Sequence, residues 1–284
     1  MKMYQYPSVL TIAGFDGSGG AGQQADIKAI SALGCYSTCV LTSLPIQNTQ
    51  GVQKIYPIPL EAIEEQIAAV MDDVFPNAIK IGMIHSAELA RVVAKQLSKY
   101  PKVPVVYDPV MVASSGDKLI KDEDIEQIID ILFPISDLIT PNIDEAAVLA
   151  KMKVETEQEM LWAGEQILKY QCKAVLLKGG HQKTEILSSY LLTQDHKSYK
   201  YESQRIETKN THGSGCTLSS AIASYLARGE ALHRAVELGQ QYVFEAIKSG
   251  QNVLVGKGTG SLNHFFNPQK LIKNELDRTS LDSI

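Results

Sequence analysis

The residues best able to do chemistry cluster first in the string Asn210-Thr211-His212-Gly213-Ser214-Gly215-Cys216, which precedes the apolar stretch Thr217 to Ala227. A glycine-rich turn at a helix start gathers backbone N–H groups that lack an intrahelical acceptor, and the helix dipole adds positive potential. Such a cradle suits a transferring phosphate. Cys216 falls in the first helical turn, where that potential lowers a thiol pKa and favours a thiolate able to take a proton. The bland alternative is a small buried apolar cysteine.

A second glycine-rich turn, Ala13-Gly14-Phe15-Asp16-Gly17-Ser18-Gly19-Gly20-Ala21-Gly22, follows a strand and opens a helix, so its N–H groups are expected to face an anion or polar ligand. Gly17, Gly19 and Gly22 satisfy GxGxxG. A dinucleotide site would also want an acidic residue about 20 positions on for the ribose, and none lies between Ile27 and Leu60. A Walker A loop fails too, because Gly256-Lys257 is followed by Gly258 instead of Ser or Thr. The plain alternative is a tight strand-to-helix turn.

Four further polar residues stand at the ends of apolar runs: Asp108 after Val103 to Tyr107, Asn142 and Glu145 after Leu138 to Thr140, and Lys178 after Ala174 to Leu177. Mg²⁺ retains much of its hydration and takes few carboxylates directly, so Asp108 and Glu145 are expected to hold it through water. An exposed first-turn helix residue is the competing reading of Glu145, and a solvated strand end that of Lys178. As a site residue, the Lys178 ammonium would neutralise phosphate.

These groups need a scaffold that brings strand ends together. Apolar, β-branched runs at Val9 to Ala13, Cys39 to Thr42, Ala78 to Ile81, Val103 to Tyr107, Leu138 to Thr140 and Ala174 to Leu177 predict buried strands. Amphipathic stretches separate them, the clearest being Glu61 to Phe75 with Ile63, Ile67, Val70, Met71 and Val74 on one face. The alternation predicts an α/β fold with a mostly parallel sheet, helices on both faces, and ligands beyond the strand C-termini. Ser188 to Thr193 and Ser198 to Glu202 predict an edge hairpin, and Gly213 to Arg228 and Glu230 to Ser249 two late helices before the glycine-rich turn Gly256 to Gly260. A single domain over residues 1–284 is expected.

Composition narrows the function classes. With 27 basic and 32 acidic residues the net charge is −5, and no Lys/Arg block supplies a nucleic-acid footprint. No apolar run approaches the roughly 18 residues of a spanning helix, and no secretory h-region stands at the start, so a cytoplasmic protein without a membrane partner is expected. Cys35, Cys39, Cys172 and Cys216 form no CxxC, which favours reduced thiols without structural zinc.

Several strings in series resemble the ribokinase-like superfamily, in particular the hydroxymethylpyrimidine/phosphomethylpyrimidine kinases of thiamine biosynthesis and the bacterial pyridoxal kinases. They are Thr11-Ile12-Ala13-Gly14, Gly19 to Asp26, Gln47 to Gln53, Lys80-Ile81-Gly82-Met83, Asp108-Pro109-Val110-Met111, Thr140-Pro141-Asn142, Lys178-Gly179-Gly180-His181 and Thr208 to Thr217. The resemblance implies a three-layer αβα ribokinase-like fold and a homodimer. It implies a pyrimidine pocket formed by Gly14, Asp26, Gln47, Met83 and Val110. It implies an ATP side with Asn142, Lys178, Thr211, Gly213, Ser214 and Gly215, and catalysis by Cys216, Gly213, Gly215 and Lys178. Most sugar kinases of the superfamily carry an aspartate base where Cys216 stands, whereas this subgroup has cysteine. The Gln47 amide donates and accepts at once, matching a ring nitrogen beside an exocyclic amine, a pair that pyridoxal lacks. One departure is Ser43-Leu44-Pro45-Ile46, where the family has smaller residues and proline fixes φ. The implied activity is ATP- and Mg²⁺-dependent phosphorylation of 4-amino-5-hydroxymethyl-2-methylpyrimidine and then of its monophosphate. The rival readings are a pyridoxal/pyridoxamine kinase and a non-catalytic vitamer or nucleotide sensor.

Overall fold

The computed structural model describes residues 2–111, 120, 122–180 and 184–276. Along the chain run β1 (Tyr4–Gln5), β2 (Ser8–Ala13), α1 (Gly22–Ala32), β3 (Tyr36–Leu41), β4 (Ser43–Asn48), β5 (Gly51–Pro57), α2 (Leu60–Asp73), β6 (Ala78–Ile81), α3 (Ala87–Leu97) and β7 (Val105–Tyr107). They continue with α4 (Asp122–Leu132), β8 (Leu138–Ile139), α5 (Ile143–Ala150), α6 (Glu157–Leu168), β9 (Ala174–Leu177), β10 (Ile186–Thr193), β11 (Ser198–Gln204), α7 (Ser214–Ala227), α8 (Leu232–Gly250) and β12 (Asn274–Glu275).

The main sheet has the order β11-β10-β9-β8-β7-β6-β2-β3. From β9 to β3 the neighbours are parallel, and β10 and β11 form the antiparallel edge hairpin that the sequence predicts. Alternation along β2 sends Leu10 and Ile12 into one apolar core and Val9 into the other. The first core takes α2 to α6, through residues such as Ile67, Val93, Leu132, Leu149 and Ile167, and the second takes α1, α7 and α8, through Ile30, Ile222 and Val236. Three layers follow, as expected.

Where strands begin and end departs from the sequence reading for identifiable reasons. The expected strand Val103 to Tyr107 starts at Val105, since Pro104 has no N–H to donate to a ladder. β3 starts at Tyr36 instead of Cys39; it is an edge strand whose polar, partly exposed beginning hides it from an apolar scan. The structure adds a β4–β5 hairpin that the sequence pattern does not predict. Pro45 and its mixed polarity disguise it, and Gln47 lies in β4.

The parallel strands deliver their C-terminal residues to one edge. Asp108 N–H donates to the Ile81 carbonyl at 2.9 Å, Thr140 N–H to Tyr107 at 3.1 Å, and Lys178 N–H to Pro141 at 2.9 Å. Gly14, Met83, Asp108, Asn142 and Lys178 therefore all emerge at the same end of the sheet.

Candidate active site

At that end Lys178 Nζ lies 2.8 Å from Asp108 Oδ1 and 3.9 Å from Glu145 Oε2. Asp108 Oδ1 also accepts from the Thr140 hydroxyl at 2.8 Å. Burial would raise the Asp108 carboxyl, but Lys178 and Lys80 outweigh it and hold it below its ordinary value. Burial, reinforced by Asp108, pushes Glu145 up to about 7 despite Lys178. Glu145 is buried, so the exposed-residue reading fails for it; with Asn142 it forms a capping box, Asn142 Oδ1 accepting from the Glu145 N–H and Glu145 Oε2 from the Asn142 N–H. Lys178 is only 15% exposed, which also removes the solvated-strand-end alternative.

The start of α7 meets this cluster at Gly215. A Cβ there would lie 3.2 Å from Lys178 Nζ and 3.4 Å from Asp108 Oδ2. Gly213 at φ 79° is the N-cap, in the left-handed region that favours glycine. The N–H groups of Gly215 and Cys216 lie in the first turn, where no helical carbonyl precedes them. Thr211 is exposed and its carbonyl accepts from Ser214 N–H at 3.1 Å. Cys216 is partly exposed, with the Gly22 N–H directed at its sulfur. The expected lowering of its thiol pKa is reversed: burial, with Asp26 and Asp108 adding negative charge, pushes it up to about 11 although Lys80 opposes.

The other turn behaves differently from its sequence reading. Its N–H groups do not await a ligand, because Asp16 fills them: Oδ2 accepts from Gly20 at 3.0 Å and Ala21 at 2.7 Å, and Oδ1 from Ser18 N–H at 2.9 Å. Burial favours a neutral carboxyl, yet His212, Gln47, Ser18 and Ala21 hold Asp16 far below the usual carboxylate range. The two turns touch, since a Cβ on Gly213 would come within 1.8 Å of the Gly20 carbonyl oxygen.

Of the residues implied for the pyrimidine pocket, Gly14 and Met83 are neighbours: a Cβ on Gly14 would sit 3.2 Å from Met83 Cε. Gln47 is half-buried and lines a cavity of about 370 Å³ with His212, Lys257, Thr259 and the hairpin tip. Val110 is half-buried two residues beyond Asp108. Asp26 requires correction: it is wholly buried, accepting from Lys80 Nζ at 2.8 Å, Ser220 at 2.7 Å and Thr11 at 2.6 Å, and presents no surface to a substrate. Asp26 is a support beneath the site. Its partner Lys80 was not assigned a role by the sequence reading, although a lysine within a buried strand is itself the signal. Asp16 and His212, 2.9 Å apart, likewise carry no signal in the sequence that pairs them. His181 lies outside the described residues. A wider, open depression of about 810 Å³ on the β10–β11 hairpin is lined by Thr184, Glu185, Ile186 and Glu202 and contains none of these residues.

Asp108 Oδ2 is buried without a partner, an orphaned acceptor beside Glu145 and the α7 start. That arrangement fits a cation carrying water. No group of three or more His, Cys, Asp or Glu side chains placed to hold a metal ion occurs among the described residues.

A parallel sheet that brings a lysine, two carboxylates and a glycine-lined helix start together at one end of its strands defines a phosphotransferase of the small-molecule kinase type. The family model for phosphomethylpyrimidine kinase matches residues 16–263, and the chain belongs to that family. It is 41% identical over 259 residues to the hydroxymethylpyrimidine/phosphomethylpyrimidine kinase of Salmonella typhimurium, covering 91% of this chain and 97% of that one. The crystal structure of phosphomethylpyrimidine kinase from Clostridium difficile superposes with TM-score 0.75 at 42% identity, over 84% of this chain and 99% of the other. Pyridoxal kinase from Staphylococcus aureus in complex with ADP gives TM-score 0.85 at 27% identity, over 96% of this chain and all of that one. Against two bifunctional thiamine biosynthetic relatives, from Oryza sativa and Geobacter sulfurreducens, the chain spans 48% and 52% of their length.

Proposed function

We propose that the protein transfers the γ-phosphoryl group of ATP to the hydroxymethyl oxygen of 4-amino-5-hydroxymethyl-2-methylpyrimidine, and then phosphorylates the resulting monophosphate. The observation that carries this reading is the approach of Lys178 and Asp108 to Gly215, 3.2 and 3.4 Å from where its Cβ would stand. Only glycine leaves room for phosphate oxygens between the ammonium and the helix N–H groups. Those donors stabilise charge on the transferring group, each worth about 3 kcal/mol when well placed.

Gly14, Met83, Val110 and Gln47 would hold the pyrimidine, with the Gln47 amide reading the ring nitrogen and amine. Asn142, Thr211 and Ser214 would line the nucleotide side. Asp108 and Glu145 would hold hydrated Mg²⁺, which supplies charge neutralisation for the phosphates. Cys216 would accept the hydroxyl proton in the first step. With its thiol near 11, the sulfur is protonated at rest, so it must first release its own proton to solvent, which the Lys80 charge and Gly22 N–H favour, before the thiolate takes the proton of the alcohol. The second acceptor is already an anionic phosphate and needs little base.

A cytoplasmic homodimer is part of the proposal. No described helix is long and apolar enough to cross a membrane, and the exposed Tyr6, Tyr36, Ile46 and Tyr56 leave apolar surface for a second copy. The likeness to pyridoxal kinases keeps vitamin B6 alcohols as a second reading. An ATP-coupled assay with the pyrimidine alcohol, its monophosphate and pyridoxal tests both: turnover of both pyrimidines is expected, and turnover of pyridoxal alone would replace the first reading with the second.

A further inference from the structure

Asp16 and His212 are separated by 196 positions yet share a contact, His212 Nε2 lying 2.9 Å from Asp16 Oδ2. The carboxylate is 1% exposed and already accepts from three backbone N–H groups of its own turn. A carboxylate only accepts, so His212 Nε2 carries the proton that it donates. The ring is held on other sides as well. The Gly20 backbone presses on it, a Cβ there falling 2.5 Å from His212 Cδ2, and the main chain is tied separately, the His212 backbone N–H donating to the Gly260 carbonyl at 3.0 Å. His212 directly precedes Gly213, the N-cap of the helix that would bind phosphate.

Glycine-to-glycine contact brings the two turns close but lacks direction, because van der Waals contact between bare backbones permits sliding. A buried, charge-assisted hydrogen bond does not. We propose that Asp16 and His212 are positioning residues for phosphoryl transfer: the Asp16 carboxylate holds the His212 ring and thereby fixes the Gly213–Cys216 turn in register with the substrate-side turn. This rests on the kinase reading. Neither side chain touches the reacting atoms; both act through the backbone that follows His212. Asp16 thus uses one carboxylate to shape its own turn and to set the distance between acceptor alcohol and phosphate cradle. Misplacement of reacting groups by about 1 Å costs on the order of 10²-fold in rate.

The test compares His212→Ala with His212→Gln, whose amide nitrogen reaches the place of imidazole Nε2. His212→Ala is expected to lower kcat for the pyrimidine alcohol roughly 30- to 100-fold, with KM for alcohol and ATP little changed, and His212→Gln to recover most of the loss. Equal loss in both variants, or a rise in KM with kcat intact, would overturn the proposal. If His212→Ala does not fold, His212→Asn takes its place, its amide being too short to reach Asp16; wild-type kcat in that variant would also overturn it. An activity-independent readout separates this claim from the kinase reading. The His212 Nε2–H should give a slowly exchanging downfield proton resonance in the wild type, assigned by its loss in His212→Gln and shifted in Asp16→Asn. Absence of that resonance in the wild type refutes the bond, whereas its presence in a protein that phosphorylates no alcohol refutes the kinase reading alone.

Discussion

In the turn after β2 the N–H groups of Ser18, Gly20 and Ala21 converge on Asp16, whereas the turn before α7, Asn210 to Cys216, holds no acidic residue and opens beside Lys178. Both are glycine-rich, both follow the C-terminal side of the sheet, and both start a helix. The acidic residue makes the difference. A carboxylate inside the turn satisfies the donors and turns the segment into a rigid wall, while its absence leaves donors for a ligand. Glycine spacing alone therefore reports the shape of such a turn and says nothing about whether it is filled.

The sharpest way to break this comparison is to put a side chain where the turns meet. Gly213→Ala forces a Cβ to within 1.8 Å of the Gly20 carbonyl at φ 79°, so both turns must move. Loss of kinase activity by roughly 10³-fold or more is expected in the coupled assay, with a fall in Tm corresponding to about 3 kcal/mol. Gly229→Ala is the control: φ is 89° there but nothing lies within 4 Å. It should cost only the backbone strain of about 1–2 kcal/mol and spare activity. Equal activity loss at the two positions would show that contact between the turns is unimportant.

Lys178→Met tests the open turn by removing the cation beside it. A fall of roughly 10²- to 10³-fold in kcat for both phosphorylations is expected, the effect of one lost oxyanion donor. The same removal leaves Asp108 buried without its 2.8 Å partner, so thermal unfolding should be measured in parallel. Full activity in Lys178→Met would leave the open turn without its assigned charge.

Cys216→Ala separates base from cradle. The first phosphorylation should fall about 10²-fold and the second less than tenfold, since only the alcohol needs a proton removed. The sign of the pH dependence follows from the thiol near 11: the thiolate fraction grows with pH, so wild-type kcat/KM for the alcohol should climb between pH 7 and pH 9. In Cys216→Asp the base is ionised throughout that range and the slope should flatten. Equal losses in the two steps, or an unchanged slope, would remove the cysteine from proton transfer.

Much of this site was legible because it depends on strand ends. Asp108, Asn142 and Lys178 each follow an apolar run, and parallel strands must release them at one edge. Gly213 to Cys216 was legible from residue type. What escaped was decided by contacts across long stretches of chain. Asp26 reads as a ligand residue because its motif is recognisable, but Lys80, 54 positions away, takes its carboxylate. Cys216 reads as an activated thiol by the helix dipole, and burial beside Asp26 and Asp108 reverses that. The Asp16 nest and the β4–β5 hairpin were hidden for a similar reason: a glycine string does not say which carboxylate fills it, and a hairpin with proline and polar residues has no clean period.

The smallest effect expected concerns the wall formed by the filled turn and the hairpin. The tip of β4–β5 is fastened to the glycine-rich segment after α8: Gly258 N–H donates to Thr49 Oγ1 at 3.1 Å and Thr259 N–H to the Thr49 carbonyl at 2.9 Å. Gly258 has no room for a side chain, because its Cβ would lie 1.8 Å from the Thr49 carbonyl oxygen. This fastening fixes β4, and hence Gln47 opposite Asp16. Thr49→Val keeps the shape and removes one exposed hydrogen bond, worth about 0.5–1.5 kcal/mol, or roughly two- to tenfold. The change should appear chiefly as a higher KM for the pyrimidine alcohol, with KM for ATP and kcat less affected, because the lost bond holds the strand that carries Gln47, whereas the phosphate cradle is reached only through Gly260 and His212. A larger rise in KM for ATP than for the alcohol in this variant would mean that the hairpin belongs to the open turn, and the division of labour between the two turns would have to be redrawn.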